Sequence, residues 1–190
     1  YIQTHGDELA GLVCSGTGGD PGPLAMVALL IATVEGRIRG RKARSGLLNS
    51  MFFGAFNKPF VKDGKARTEF EWLSRDQAEV DKYVADPWCG DVFTAGFFAD
   101  LLPGVMSIND SAKVALVPKD LPILLISGME DPVGGNWKGV LGVKKQLLEV
   151  GVASVEAKGY PDARHEILNE TNRDEVTADL IAWFDAHLPA

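Results

Sequence analysis

The chain has 190 residues, of which 46% are hydrophobic and 24% charged, and its formal net charge is −7. This length allows one sizeable core, or a core with a small subdomain, in an ordinary globular protein. The acidic balance excludes a general nucleic-acid binder, whose surface is basic. The longest apolar run, residues 24–34, is too short for a membrane span, which needs about 20 residues.

The cysteine content indicates the compartment. Cys14 and Cys89 are too few for a disulfide framework. They indicate free, buried thiols in a reducing compartment, so we predict a cytoplasmic location, with a single disulfide left open.

The first residues of the chain indicate a helix that ends at Gly6. Because the chain starts at Tyr1 rather than Met, we expect preceding sequence, with any targeting segment, to be missing from it. Residues 9–14 are a short apolar run and predict a buried strand. The glycine-rich residues 16–19 lack the endings of phosphate-binding loops, so we predict a turn at the carboxyl end of this strand, where it can line a pocket.

The next segment, residues 23–111, differs in character. It holds helical stretches, aromatic clusters and helix breakers at Pro59, Pro87 and Pro103. A helical insertion of this length between two strands predicts a cap over the strand ends. Its basic run is expected to be a solvated helix face, or else a patch that attracts anionic lipid head groups. The run consists of Arg37, Arg39, Arg41, Lys42 and Arg44.

The last third of the chain alternates strands and helices. Residues 121–126 are apolar without alternation and predict a parallel strand covered on both faces. Residues 139–150 predict a helix that Gly151 can end, and residues 152–160 predict the last, edge strand. The apolar face of this helix is expected to contain Val140, Val143, Leu147 and Leu148.

A final helix follows a capping-box-like start, Thr171 or Asn172 with Asp174 or Glu175. Its apolar stripe is expected to contain Val176, Leu180, Ile181, Phe184 and Leu188. Strands alternating with helices predict a parallel α/β sheet. Three strands make a sheet with an open edge, so we expect either missing N-terminal strands or a partner chain at that edge.

Two residues at predicted strand ends are candidates for catalysis. Asp131 follows the 121–126 strand, where an acid can orient a histidine, although an Asp before a Pro is also a common helix start. His165 follows the last strand and could take a proton from a serine hydroxyl. His5 and His187 are poorly placed for such a role.

Other acids could replace Asp131 as the partner of His165. Asp162 and Glu166 are close in sequence, whereas Glu130 is expected to be solvated. No Cys/His cluster has metal-ligand spacing, so we predict no metal site. Asp131 and His165 would be the last two members of a Ser…Asp…His triad in α/β-hydrolase order, but the chain contains no Gly-x-Ser-x-Gly elbow.

Several segments resemble bacterial α/β-hydrolases of the serine-hydrolase group that contains lysophospholipases and monoacylglycerol lipases. The resemblance rests mainly on Ser127–Gly134 and Gly159–Glu170. Shorter matching segments are residues 12–17, 57–60, 72–76 and 86–90. It implies a Ser–His–Asp esterase with a helical cap and no cofactor, in which Asp131 is the acid and His165 the base. It also implies a nucleophilic serine shortly before Tyr1 and an oxyanion-hole loop further upstream.

The sequence therefore predicts an α/β-hydrolase fold, divided into core residues 1–22, a cap over 23–111 and core residues 112–190 that carry the catalytic Asp and His. The predicted reaction is hydrolysis of small lipid-like carboxylic esters, either acylglycerols or lysophospholipids. The residues that bind the substrate are not predicted.

Two alternatives remain open at this stage. The chain could be an inactive truncated or split fragment stabilised by self-association, as a homo-oligomer or with an N-terminal partner segment. The scaffold could also serve an amidase, peptidase or thioesterase, because a fold does not fix a function.

Overall fold

A computed structural model describes residues 1–62, 64 and 66–187. Its centre is a three-stranded parallel sheet in the order β1-β2-β3. The strands are β1 (Leu12–Ser15), β2 (Ile123–Gly128) and β3 (Val155–Tyr160). β2 starts after Pro122, whose nitrogen cannot donate to a ladder and whose carbonyl accepts the N–H of Leu12. The predicted parallel sheet is confirmed.

Helices surround the sheet and fill the long connection between β1 and β2. A 3₁₀ turn, Gly6–Glu8, follows the first helix, and a second one, Ile167–Asn169, precedes the last. The helices are α1 (Ile2–His5), α2 (Pro23–Arg39), α3 (Gly46–Phe52), α4 (Lys58–Lys62), α5 (Gln77–Ala85), α6 (Ala95–Ile108), α7 (Ser111–Val114), α8 (Lys138–Glu149) and α9 (Arg173–His187).

Both faces of β2 are buried, which explains its unbroken apolar sequence. Ile123 and Leu125 belong to the core cluster that includes Val140 and Leu147 of α8. Leu124 and Ile126 point the other way and join the cluster that contains Val176 and Trp183 of α9. β1 lies at one edge of the sheet and is less buried than β2.

The predicted apolar faces of the last two helices are partly wrong. In α8, Leu148 is exposed, because it lies about 100° around the helix from the buried Leu147. In α9, Trp183 takes the inward position, and Ile181 and Phe184 are exposed because they lie about 200° and 100° around the helix from it. Leu188 lies outside the described residues. α9 begins at Arg173, directly after Asn172, whose side-chain amide donates to Glu175.

The helices between β1 and β2 form their own core, in which α2 packs along α6. Pro103, predicted to break a helix, lies inside α6, where a proline costs about 3 kcal/mol. The helix continues because Phe98 and Leu102 bury almost completely on its inner face. Pro59 lies in the first turn of α4, where no N–H is needed, and Pro87 follows the end of α5.

Cys14 and Cys89 are free thiols, and both are only partly buried. Burial raises the pKa of the Cys14 thiol. Across the described ranges, no helix has the length and hydrophobicity to span a membrane.

Candidate active site

The candidate acid, Asp131, lies three residues beyond the carboxyl end of β2 and is fully buried. Its Oδ1 accepts the N–H of Val133 at 2.8 Å, and its Oδ2 accepts the hydroxyl of Ser127 at 3.1 Å. These donors compensate the cost of burying a carboxylate. Asp131 does not cap a helix, because α8 starts only at Lys138 with Trp137 as its N-cap. The alternative interpretation as a helix start is therefore wrong.

The candidate base, His165, hydrogen-bonds directly to this carboxylate. Its Nδ1 lies 3.0 Å from Oδ2 of Asp131, and 28% of its side chain is exposed. An ionised Asp131 favours the tautomer with the proton on Nδ1, which leaves the lone pair of Nε2 available as a base. Among the described residues, no side chain hydrogen-bonds to Nε2 of His165.

A glycine brings the two loops together. An added Cβ on Gly128 would lie 2.1 Å from the carbonyl oxygen of Ala163 and 2.2 Å from that of Arg164. Only glycine allows the end of β2 to approach this backbone so closely. Beside it, the N–H of Glu130 donates to Ala163 at 2.9 Å. The loop that carries Asp131 is thus bonded directly to the loop that carries His165.

The other acids considered as partners form no hydrogen bond with the His165 ring in the part of the chain that the structure describes. Glu166 accepts a hydrogen bond from Asn169, and Asp162 occupies a turn with φ of 58°. Glu130 is exposed, as expected. Within the described part of the chain, Asp131 is the carboxylate that hydrogen-bonds His165.

The glycine-rich turn after β1 also contacts His165, which places it beside the Asp–His pair. Gly16 has φ of 61°, and an added Cβ would lie 3.0 Å from both Nδ1 and Cε1 of the imidazole. Further along the turn, Gly19 packs against the backbone of Gly139 in α8. Larger residues at Gly16 would push the imidazole away from Asp131.

Trp72 also contributes to this site, a role that was not predicted from the sequence. Its carbonyl accepts the N–H of His165 at 3.3 Å, and the carbonyl of Leu73 accepts the N–H of Glu166 at 2.7 Å. The ring centroids of Trp72 and His165 are 5.4 Å apart. The available signal was that Trp72 begins one of the segments that resemble the hydrolases.

Glu170, also missed, is a fully buried carboxylate behind the His165 loop. It accepts the N–H of Arg164 at 2.8 Å, that of Arg75 at 3.0 Å and that of Thr171 at 3.0 Å. It also forms an ion pair with Nε of Arg75 at 2.8 Å. These four donors satisfy a charge that would otherwise be costly to bury.

Arg164 adds a second connection between residues 71–79 and the His165 loop. Its Nη1 donates to the carbonyl oxygens of Glu71 and Ser74, and its guanidinium lies 4.2 Å from the ring centre of Phe60. Arg173 of α9 pairs with Asp76 and with Glu79 of α5. Hydrogen bonds from Lys82 and Arg173 lower the pKa of Glu79. Residues 71–79 are therefore bonded to the His165 loop and α9 at many points.

A cavity of about 650 Å³ opens among the inserted helices. Trp72 lines this cavity, and its ring also lies near the ring of His165. Its apolar lining includes Phe53, Phe70, Trp72, Tyr83, Val92 and Phe93. Met51, Phe52 and Phe98, by contrast, pack into the core between α2, α3 and α6.

Comparison with known proteins identifies the family. Residues 1–172 match the family described as serine aminopeptidase, S33 (Hydrolase_4). The chain belongs to this family. A curated relative in sequence is the monoacylglycerol lipase of Mycolicibacterium smegmatis (strain ATCC 700084 / mc(2)155), which is 30% identical over 121 residues. That match covers 61% of this chain and 39% of the lipase.

Solved structures agree with the family assignment. A highly thermostable carboxyl esterase from Bacillus coagulans, in complex with glycerol, superimposes with a TM-score of 0.85 and 27% identity. The match covers 98% of this chain and 60% of the esterase. A lipase in its open form gives a TM-score of 0.79 and 25% identity, with 97% of this chain and 59% of the lipase covered.

This member of the S33 family therefore has an α/β-hydrolase fold, as predicted from the sequence. It spans less than two thirds of the length of these relatives. The three parallel strands and their helices correspond to part of the complete fold.

Proposed function

We propose that these residues supply the acid and the base of a Ser–His–Asp hydrolase that acts on carboxylic esters, with acylglycerols or lysophospholipids as the substrate class. The observation that carries this proposal is the 3.0 Å contact between Nδ1 of His165 and the buried carboxylate of Asp131. The pair lies at the carboxyl ends of adjacent parallel strands, where α/β enzymes place their sites. The relatives named as lipase and esterase support the ester substrate.

In this mechanism, Nε2 of His165 accepts the proton of a serine hydroxyl while the serine oxygen attacks the acyl carbon. The protonated imidazole gives that proton to the leaving alcohol, and Asp131 stabilises the imidazolium. Water, deprotonated by His165, then hydrolyses the acyl-enzyme. The 190 residues contain no Gly-x-Ser-x-Gly elbow, so we place the nucleophile and the oxyanion hole in sequence that precedes Tyr1 in the full-length gene product.

The same proposal assigns the remaining parts of the chain. Residues 23–111 are the cap, between core residues 1–22 and 112–190. Upstream strands, or a second copy of the chain, pair with the free edge of β1. The two free thiols support a reducing, cytoplasmic compartment.

The direct test is turnover of monoacylglycerols and p-nitrophenyl esters by the full-length gene product and its His165→Ala variant. We expect the variant to lose nearly all turnover, by a factor of at least about 10³, while its thermal unfolding midpoint stays close to that of the parent. Glu166→Ala is the matched control, because its carboxylate is adjacent in sequence but, among the described residues, hydrogen-bonds to Asn169 and not to His165. Turnover by His165→Ala at the parent's rate would refute the assignment.

A second candidate, peptide hydrolysis, is favoured by the description of the matching family as a serine aminopeptidase. The same triad would catalyse peptide hydrolysis, so a comparison of substrates must distinguish the two functions. Aminoacyl p-nitroanilides should be tested beside the esters, and a kcat/KM for the anilides well above that for the esters would replace the esterase assignment. Intact-mass spectrometry after treatment with a fluorophosphonate tests the remaining alternative, an inactive fragment, because a sample without a nucleophile stays unmodified.

A further inference from the structure

Two buried ion pairs of opposite direction join the chain around His165 to one segment of the insertion. The chain around the base places a cation, Arg164, before it and an acid, Glu170, after it. The segment of the insertion begins with an acid, Glu71, and ends with a cation, Arg75. Nη1 of Arg164 lies 3.4 Å from Oε2 of Glu71, and Nε of Arg75 lies 2.8 Å from Oε2 of Glu170. We call these four residues the charge clamp.

The burial of the clamp makes it a poor source of stability. The exposed fraction of the side chain is 4% for Glu71, 9% for Arg164 and 0% for Glu170. The ring of Phe60 also covers the Arg164 guanidinium, at 4.2 Å. The cost of removing two charges from water can exceed their attraction, and well-packed apolar residues often stabilise a protein as well. A buried charge does, however, require the one arrangement in which its partner is within reach, so the clamp is suited to fixing a geometry.

The clamp bonds to the backbone on both sides of the contact. Oε1 of Glu170 accepts the N–H of Arg164 at 2.8 Å and that of Arg75 at 3.0 Å, so one oxygen joins both segments. In the opposite direction, Nη1 of Arg164 donates to the carbonyl oxygens of Glu71 and Ser74. The backbone that carries the base is therefore bonded to the insertion through both of its charged side chains.

His165 lies between these contacts. Its N–H donates to the carbonyl of Trp72, and the N–H of the next residue donates to the carbonyl of Leu73. The imidazole itself has a single hydrogen bond among the described residues, to Asp131. The direction of Nε2 therefore depends on where the backbone of the loop is held. A misplacement of about 1 Å at a reacting group can cost about a hundredfold in rate.

We infer that Glu71, Arg75, Arg164 and Glu170 are positioning residues that fix Nε2 of His165 for proton transfer. They act through the backbone of the His165 loop rather than through contact with the reacting atoms. The inference rests on the proposed Ser–His–Asp function, in which His165 transfers the proton. Loss of the clamp should therefore lower kcat and leave KM nearly unchanged.

Arg164 gives the most selective test, because Nη1 makes all of its side-chain hydrogen bonds to described residues. These bonds go to Glu71 and Ser74, whereas Nε has no hydrogen-bond partner among the described residues. A lysine ammonium can donate to the same carbonyl oxygens, whereas a methionine fills similar space and has no N–H donor. Arg164→Lys should therefore keep the clamp, and Arg164→Met should open it.

The test measures kcat and KM of the full-length gene product on a p-nitrophenyl ester, below the unfolding midpoint of every variant. For Arg164→Met we expect kcat to fall at least about 30-fold, with KM within about twofold of the parent. Arg164→Lys should keep kcat within about threefold of the parent. Ala28→Leu is the control for lost stability, because Ala28 belongs to the separate core of α2 and α6, and it should keep the parent's kcat.

Glu71→Gln serves as a second variant if Arg164→Met does not fold. It removes the charge that faces Arg164 and keeps an amide oxygen that can accept the N–H groups of Arg67 and Thr68. We expect its kcat to fall roughly fivefold at an unchanged KM.

A second readout requires no turnover. The Cε1–H proton of His165 gives an NMR resonance that is assigned by its absence from His165→Ala. Its chemical shift reports the surroundings of the ring, including the Trp72 ring, whose centroid lies 5.4 Å away. We expect this shift to change in Arg164→Met and to match the parent in Arg164→Lys and Ala28→Leu.

Four results would overturn the inference. The first is a parent-like kcat or an unchanged His165 resonance in Arg164→Met, or a parent-like kcat in Glu71→Gln if the first variant does not fold. The second is a raised KM at unchanged kcat, which would assign the clamp to substrate binding. The third is an equal loss of kcat in Arg164→Lys, and the fourth is an equal loss in Ala28→Leu, which would make the effect one of stability. If the parent hydrolyses no ester, the proposed function fails, and the His165 resonance alone decides whether the clamp positions the ring.

Discussion

The inserted residues are attached to the rest of the chain in two different ways. Residues 71–79 are bonded to the His165 loop and to α9 through buried charges and backbone hydrogen bonds. Helix α2 instead packs on α6 through small alanines together with the partly buried Leu29 and Ile31, and it turns its other aliphatic side chains outward. The first attachment depends on groups that each need a particular partner. The second depends on close packing of apolar side chains, which leaves the outer face free to vary.

The comparison teaches that different parts of residues 23–111 are held in place by different kinds of contact. One part completes the site, because Trp72 and Leu73 accept backbone hydrogen bonds from the His165 loop. We therefore expect these residues to stay in place during substrate entry.

The largest effect is expected from Gly128→Ala, because the new Cβ would lie 2.1 Å from a carbonyl oxygen of the His165 loop. We expect the free energy of unfolding to fall by about 4–5 kcal/mol, or the protein not to fold. Gly142→Ala is the control, since nothing lies within 4 Å of its added Cβ inside α8, and it should gain about 0.5–1 kcal/mol. Urea denaturation of both variants measures this difference, and equal stabilities would contradict the close contact.

The next largest loss of stability is expected when the buried carboxylate of Glu170 is removed. Glu170→Ala leaves the Arg75 guanidinium without its buried partner, along with the three N–H groups that the carboxylate accepts. We expect a loss of about 3–4 kcal/mol in the free energy of unfolding. Glu149→Ala removes an exposed ion pair with Lys145 and should cost less than about 1 kcal/mol. A Glu170→Ala loss no larger than that of the control would show that residues 71–79 are not held through this group.

A smaller effect should distinguish the two faces of α2. Ala28→Leu adds volume to the contact with α6, where Ala28 is 0% exposed, and should cost about 1–3 kcal/mol. Leu30→Ser changes a side chain that is 65% exposed on the outer face of α2 and should stay within about 0.5 kcal/mol of the parent. Thermal and urea unfolding can measure both. If Leu30→Ser is the more destabilising change, another part of the protein covers this outer face in solution.

Part of the site was predictable because each candidate residue follows a strand closely in the sequence. Asp131 and His165 were found because each follows a predicted strand, and parallel strands bring their carboxyl ends to one edge of the sheet. The parallel fold was predictable from the unbroken apolar run of β2 for a related reason, since a strand covered on both faces shows no alternation. Their catalytic roles, and the division into core and cap, stay predictions.

Other features could not be predicted from local pattern. Glu170 and Arg75 are 95 residues apart, and a single sequence carries no sign that they meet. Helical periodicity placed Leu148 and Phe184 on inner faces, although packing selected positions about 100° away. Pro103 was expected to break a helix that tertiary contacts of Phe98 and Leu102 hold together.

The sequence by itself determined the α/β alternation, the parallel sheet and the positions of Asp131 and His165, because these follow from hydrophobic period and strand ends. Only the tertiary structure decided which acid contacts His165, which residues fix its loop and which face of α2 points outward. The physical reason is that each of these depends on contacts between residues distant in the chain. The role of a buried charge can be recognised only from the residues that surround it in space. The same holds for a glycine at a close backbone approach and for an outward aliphatic face.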